Sequence, residues 1–178
     1  PSELEQAFGY VGAGKCRIVE HLMLECTVLR DGKPVASAIG LNEAALLRGA
    51  PFSILDIDLQ VDGELATTFS CDGLIISTPV GSTAHSLSAG GPILRKTLDA
   101  FVISAISPHT LTVRPVVDSS NRIYEMTLRE TVAETAVAVD GKVIASVTER
   151  DVIRVQKAPR PFLMIEVDGQ NDYRSLRE

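Results

Sequence analysis

Hydrophobic and polar residues alternate along most of this chain with a period of two. The clearest case is the stretch Ile54-Leu-Asp-Ile-Asp-Leu-Gln-Val61, with Leu55, Ile57, Leu59 and Val61 on one face and Asp56, Asp58 and Gln60 on the other. That spacing predicts a half-buried antiparallel strand. Residues 22–29 and 33–40 flank Asp31-Gly32, a hairpin signal. Asp62-Gly63 turns the 54–61 strand into a partner over 64–70, and Asp72-Gly73 starts a strand that includes residues 74–77. Further strands are predicted over 101–106, 110–117, 122–128, 132–139, 142–147, 152–155 and 162–167. The Asp-Gly pairs at 140 and 168 again fall at strand ends and read as hairpin turns. Helical signals are few: a short segment over 82–87 that opens on hydroxyl residues, a turn or two over 42–48, and a start at 172–178. About a dozen short strands at turn-to-turn spacing predict a mainly β fold, an antiparallel β-sandwich or barrel of many short strands with a few short helices. No internal repeat or linker divides residues 1–178, so they are expected to form a single domain.

Composition narrows the partners. With only 4% aromatic residues and no Trp, the core must be built from Val, Ile, Leu and Ala. A net charge of -6 argues against nucleic acid or an anionic membrane as a partner. No apolar run has the length of a membrane span. Three cysteines, Cys16, Cys26 and Cys71, lack metal-like spacing and fit a reducing, cytoplasmic compartment. The chain begins at Pro1 without Met and ends in the charged run 174–178, as a piece of a longer protein would.

Between Cys71 and Leu94 the period of two stops. After residues 74–77 the chain is almost entirely small: Ser77, Thr78, Gly81, Ser82, Thr83, Ala84, Ser86, Ser88, Ala89, Gly90 and Gly91. Such a run adds little to a core, but it can bring backbone N–H groups and hydroxyls close to a ligand. A flexible linker has similar composition, yet linkers do not directly follow an Ile-Ile strand or carry embedded Thr-Pro and Gly-Pro pairs.

Two other patterns invite function and are set aside. Gly9 to Cys16 fits a phosphate-binding loop except that Cys16 replaces the magnesium-holding Ser or Thr, and no buried strand precedes it; it reads as a Gly-rich turn. His85 lies three residues after Ser82, but no G-x-S-x-G elbow or helix-strand alternation supports a hydrolase. His21 and His109 have no accompanying metal spacing and read as surface or segment-packing residues.

The segment Asp72-Gly-Leu-Ile-Ile-Ser-Thr-Pro-Val-Gly-Ser-Thr-Ala-His-Ser-Leu-Ser-Ala-Gly-Gly-Pro92 resembles the signature loop of NAD kinases, also called inorganic polyphosphate/ATP-NAD kinases. Leu41-Asn42-Glu43 resembles their Asn-Glu motif, and Ser107-Pro-His-Thr-Leu-Thr-Val-Arg-Pro115 resembles their Pro-His-Ser-Leu-x-x-Arg-Pro segment, in the family's order and approximate spacing. The family is built from an N-terminal α/β domain and a C-terminal all-β domain with the active site between them. Its Gly-Gly-Asp-Gly motif, carrying the phosphate loop and the catalytic Asp, belongs to the first domain and is absent here. The resemblance therefore implies the C-terminal domain alone, with no catalytic residue and no metal ligand in this chain.

The implied reaction moves the γ-phosphoryl of ATP, or of polyphosphate, to the 2′-hydroxyl of the adenosine ribose of NAD, with a divalent cation, Mg2+, accompanying ATP. In this resemblance Asn42 and Glu43 hold the adenosine half of NAD through an amide and a carboxylate. Thr83, Ala84, His85, Ser86, Leu87 and Ser88 match the segment that lines the dinucleotide pocket, where backbone N–H groups at a helix start can meet an anion. Asp72 matches an Asp that contacts the nicotinamide end from a neighbouring subunit, which implies a homodimer or homotetramer with a shared site. This sequence departs from the family at His85 for Tyr, Val80 for Thr or Ser, and Ser70 for an Arg found in many bacterial members. His85 can still stack on a base and donate a hydrogen bond, whereas Val80 lacks a hydroxyl that bears on affinity or on the choice of NAD or NADH. Two rival readings remain: a related lipid kinase acting on a diacylglycerol- or sphingosine-type alcohol, which needs an acyl groove that a polar 83–88 loop does not favour, and a non-catalytic dinucleotide-binding or oligomerisation module.

Overall fold

Alternating sequence becomes alternating burial. In the strands spanning Leu24–Arg30, Leu55–Val61, Tyr124–Leu128 and Asp151–Lys157, every second residue is buried and its neighbours are half-exposed. The structure, a computed structural model, describes residues 3–50, 54–110, 112–132 and 134–167. In chain order these form α1 (Glu3–Gly12), β1 (Cys16–His21), β2 (Leu24–Arg30), β3 (Lys33–Gly40), β4 (Glu43–Leu47), β5 (Leu55–Val61), β6 (Glu64–Cys71) and β7 (Gly73–Ser77). A 3-10 turn (Gly81–Thr83) and α2 (His85–Ser88) follow, then β8 (Ala100–Ile106), β9 (Val116–Ser119), β10 (Tyr124–Leu128), β11 (Ala136–Val139), β12 (Lys142–Ser146), β13 (Asp151–Lys157) and β14 (Phe162–Val167).

The strands make two six-stranded antiparallel sheets, ordered β3-β2-β13-β10-β5-β6 and β12-β11-β4-β7-β8-β9, and a separate β1–β14 ribbon. One hydrophobic cluster joins the inner faces of both large sheets, with Leu24, Ile57 and Met126 from one and Leu46, Leu74 and Phe101 from the other. Two of the few aromatics meet there: Phe101 and Tyr124 pack edge-on across the sandwich with ring centroids 5.9 Å apart, and the Tyr124 hydroxyl donates to the Ser119 carbonyl at 2.7 Å. Burial pushes the Tyr124 hydroxyl well above its ordinary range. The mainly β, antiparallel fold expected from the alternation is the fold observed.

Strands β7 and β8 break the alternation because both their faces are covered. Leu74, Ile76, Phe101 and Ile103 face the inter-sheet core, while Ile75, Ser77, Val102 and Ser104 are also buried, on the opposite face, where α2 packs. This is what positions the small-residue loop on the sandwich.

The sequence reading is corrected in several places. Residues 42–48 are not helical; Glu43–Leu47 is strand β4, hydrogen-bonded to β7 on one side and β11 on the other. A sheet with both neighbours present overrides the weak local signal of an Asn-Glu start followed by helix-forming residues. The Gly-rich turn expected over 9–16 is helix through Gly12 and strand from Cys16. Among the described residues of the strands expected over 110–117 and 132–139, only β9 from Val116 and β11 form. The predicted helix over 82–87 divides into a 3-10 turn and the four-residue α2. Asp31, Asp62 and Asp140 occupy the left-handed region with their following glycines, as two-residue hairpin turns require. Asp72 does not. The pair at 168 and the helix start at 172–178 lie outside the described residues.

Candidate functional site

The loop leaves the sheet at Thr78 and is fastened to the start of β4. Thr78 donates its N–H to the Asn42 carbonyl at 2.8 Å, and its hydroxyl donates to the Leu41 carbonyl. Ser77 Oγ also donates to the Asn42 carbonyl, at 3.2 Å. Gly81 then passes so close to the same backbone that a Cβ on it would stand 2.1 Å from Asn42 O and 2.5 Å from Asn42 C. The glycine is required by close approach. Downstream, Ser82 Oγ donates to the Pro79 carbonyl at 2.6 Å and accepts the Leu94 N–H at 3.0 Å, closing the loop on itself.

Helix α2 lies over the outer face of β8 through two buried hydroxyls, Ser86 Oγ and Ser104 Oγ, 3.2 Å apart. A Cβ on Gly91 would sit 2.3 Å from Ser86 Oγ and 2.8 Å from Ser104 Oγ, so bulk is excluded here as well. Ser86 is thereby a buried support. Thr83, Ala84, His85, Leu87 and Ser88 stay exposed on the outer side of the loop. The shortness of α2 leaves little helix dipole, so anion contacts from this segment depend on loop amides and hydroxyls. Val80 caps the 3-10 turn without a side-chain hydrogen bond, where a Thr or Ser would carry a capping hydroxyl.

Sequence reasoning missed the residue that shapes the other wall. Asp140, which reads as one more hairpin turn, extends its carboxylate to three consecutive backbone donors: the N–H of Leu41 at 2.7 Å, Asn42 at 2.7 Å and Glu43 at 3.0 Å. Its own N–H donates to the Glu43 carbonyl at 3.0 Å. No local signal separates Asp140 from Asp31 or Asp62, because its partners are about a hundred residues away.

Glu43 is 8% exposed, and its Oε2 has no hydrogen-bond partner among the described residues. Burial, and secondarily the Asp140 carboxylate, raises its carboxyl above the ordinary range. A carboxyl raised on folding stabilises the fold most below its unfolded value, and that contribution is lost as pH rises through the folded value. Wild-type protein should therefore lose stability relative to Glu43→Gln as pH rises from 4 to 8. The two should converge near pH 4, around the ordinary glutamate value of about 4.3. Urea unfolding across that range checks this, and a gap that does not widen with pH would refute it.

Asp72 stands apart from the other candidates. It precedes β7, and the small-residue loop follows that strand, a separation of roughly 20 Å for a fully extended path. Its Oδ2 meets Arg48 Nη2 at 2.8 Å, and Oδ1 is 3.5 Å from His109 Nε2. His109 is fixed by its N–H to the Ser70 carbonyl at 2.9 Å. Ser70 itself donates to Asp56, so the cation beside Asp72 comes from Arg48, just past the end of the neighbouring strand β4. Within one chain the structure brings Asn42, Glu43 and the 78–88 loop together and leaves Asp72 at the far end of β7. Among the described residues, no group of three His, Cys, Asp or Glu side chains is arranged to hold a metal ion. No helix among them is long and apolar enough to cross a membrane.

Comparisons with known proteins agree on one family. Residues 41–167 match the model of the ATP-NAD kinase C-terminal domain. The chain is 54% identical over 178 residues to an NAD kinase of Rhodopirellula baltica, covering 100% of this chain and 57% of that protein. It is 38% identical over 164 residues to an NAD kinase of Geotalea daltonii, covering 92% of this chain and 58% of that protein. The chain thus spans little more than half the length of these relatives. Among solved structures, a yeast NADH kinase complexed with NADH superposes with a TM-score of 0.90 at 23% identity, over 99% of this chain and 54% of that one, a likeness of fold. An NAD kinase from Archaeoglobus fulgidus in complex with ATP superposes at 0.76 with 26% identity, over 92% and 60%.

Proposed function

Because the chain belongs to the NAD kinase family, as its C-terminal domain, we propose that it is the dinucleotide-holding part of an enzyme that phosphorylates NAD. The enzyme transfers the γ-phosphoryl of ATP, or of polyphosphate, to the 2′-hydroxyl of the adenosine ribose. The observation that carries this reading is the fastening of the 78–88 loop to Asn42. Thr78, Ser77 and Gly81 all converge on one peptide unit. That unit carries the Asn42 amide and the Glu43 carboxyl beside a loop whose Thr83, Ala84, His85, Leu87 and Ser88 are exposed. Placement of the acceptor is what phosphoryl transfer demands of such a domain.

Asn42 and Glu43 take the adenosine half, and Thr83, Ala84, His85, Leu87 and Ser88 line the dinucleotide, with Ser86 supporting them from beneath. Asp72 serves the nicotinamide end of a second copy in a homodimer or homotetramer. Its distance from the loop along β7 supports a composite site. The catalytic base lies in an upstream α/β domain carrying Gly-Gly-Asp-Gly, and the 178 residues alone have no kinase activity. A divalent cation, Mg2+, travels with the ATP phosphates and is not held by this chain. The three cysteines are free, which supports a cytoplasmic, reducing setting.

Calorimetry on the full-length protein tests the reading. NAD should bind saturably, and Asp72→Ala should weaken NAD about tenfold, the scale of one charge-assisted hydrogen bond, with ATP binding intact. Failure of the wild-type protein to bind NAD or NADP would favour the lipid-kinase alternative and overturn this proposal. Binding without turnover in the full-length protein would favour a non-catalytic module.

A further inference from the structure

Exposed apolar side chains are not spread evenly over this domain. Of the eighteen large hydrophobic residues that stand exposed among the described residues, seven fall in the three short elements α1, β1 and β14. Phe8 on α1, at 70%, and Ile18 on β1, at 68%, are the most exposed of all eighteen, and Leu163 and Ile165 on β14 follow at 59% and 55%.

Register decides which way the ribbon residues point. Ile18 lies opposite Ile165 and Glu20 opposite Leu163, so alternation puts these four on one face. The other face carries His21, which is buried, and Val19 and Met164, which are half-buried. It ends in the Arg17–Glu166 ion pair at 2.9 Å. The ribbon thus turns one face to the protein and presents Ile18, Leu163 and Ile165 away from it, with α1 beside β14. Two strands alone are not independently stable in water. β1 and β14 belong to neither six-stranded sheet, and they come from opposite ends of the described chain, so no hairpin turn joins them. A contiguous apolar face on such a ribbon marks a surface that something covers.

We propose that this face of the ribbon, with the apolar side chains of α1, is the docking surface for the upstream α/β domain of the full-length protein. The proposal rests on the reading above that such a domain carries the catalytic base. Length supports that occupant, because this chain covers 57% of its R. baltica relative and leaves the rest of that protein for a further folded unit. An upstream domain joins the chain through α1, and so emerges directly beside the ribbon. Docking there fixes the distance between the base and the acceptor held by the loop, which phosphoryl transfer requires. A second copy is the less fitting occupant, because Asp72 and the loop, assigned above to the shared site, flank β7 of the sandwich and not the ribbon.

The test uses the full-length protein with the photo-cross-linking residue p-benzoylphenylalanine in place of Leu163 or, in a second variant, Ile18. Both side chains are exposed and tolerate a larger ring, and two positions guard against one variant failing to fold. Leu65, 59% exposed on the edge strand β6, is the control. After irradiation, mass spectrometry should find links within one chain from 163 and 18 to residues upstream of Pro1, and none from 65. Products of twice the chain mass would assign the face to a second copy, and links to residues 168–178 would assign it to the chain's own end. Either result, or no links beyond those of the Leu65 control, would overturn the proposal. NAD calorimetry on the same variants keeps the two readings apart. Upstream links in a protein that binds no NAD would support the docking and overturn only the dinucleotide assignment, whereas NAD binding without upstream links would do the reverse.

Discussion

Replacing Gly81 by alanine is expected to cost about 3 kcal/mol of stability and to weaken NAD by well over tenfold. The added Cβ would lie 2.1, 2.5 and 2.6 Å from Asn42 O, C and Cα, all backbone atoms that no side-chain rotation can clear. Either the loop lifts from β4 or Asn42 moves, and both separate the two walls of the proposed dinucleotide site. Substituting Gly9, inside α1 with nothing within 4 Å of its would-be Cβ, is the control. There alanine should be neutral or stabilise by about 0.5–1 kcal/mol through helix propensity. Thermal unfolding and NAD calorimetry on both variants decide the matter. A Gly81→Ala protein as stable as wild type would mean the loop is not clamped to Asn42.

Asp140→Gly should have the next largest effect, about 2 to 3 kcal/mol with a parallel loss of NAD affinity. Glycine keeps the left-handed turn that Asp140 adopts at φ 48°, so the turn itself is not disturbed. What disappears is the acceptor for three consecutive N–H groups, at Leu41, Asn42 and Glu43. Asp140→Asn should fall between the two. Its single side-chain carbonyl can replace Oδ1, which serves Asn42 and Glu43, but not Oδ2, which serves Leu41. If Asp140→Gly matched wild type in both stability and NAD affinity, Asp140 would be only a hairpin turn.

Both substitutions concern contacts between residues distant in sequence, and that is where sequence reading lost its grip. The predicted bounds 33–40 and 162–167 match β3 and β14 to the residue, and those of β5 within one. Of the three only β5 buries every second side chain along most of its length, because one of its faces is dictated by the core. Alternation missed β4. The run Glu-Ala-Ala-Leu-Leu has helix-forming composition and no alternation, being buried on both faces between β7 and β11. In the small-residue loop, composition was enough to single out the stretch and motif resemblance to name its family. Neither distinguished Ser86, a buried support, from Thr83 and Ser88, which face outward.

Among the five Asp-Gly pairs the same limit applies. Asp31, Asp62 and Asp140 share one turn geometry, yet only Asp140 holds the Asn42-Glu43 backbone, while Asp72 is no hairpin turn and binds Arg48 instead. The alternating pattern and the motifs thus determined by themselves that this is an antiparallel β domain of the NAD kinase family with one loop of small residues. Only the tertiary structure decided which atoms hold that loop in place and that His21 is buried without a hydrogen-bond partner among the described residues. Alternation is a local consequence of having one wet face, whereas a carboxylate's three donors and a ring's lack of them depend on segments that meet only after folding.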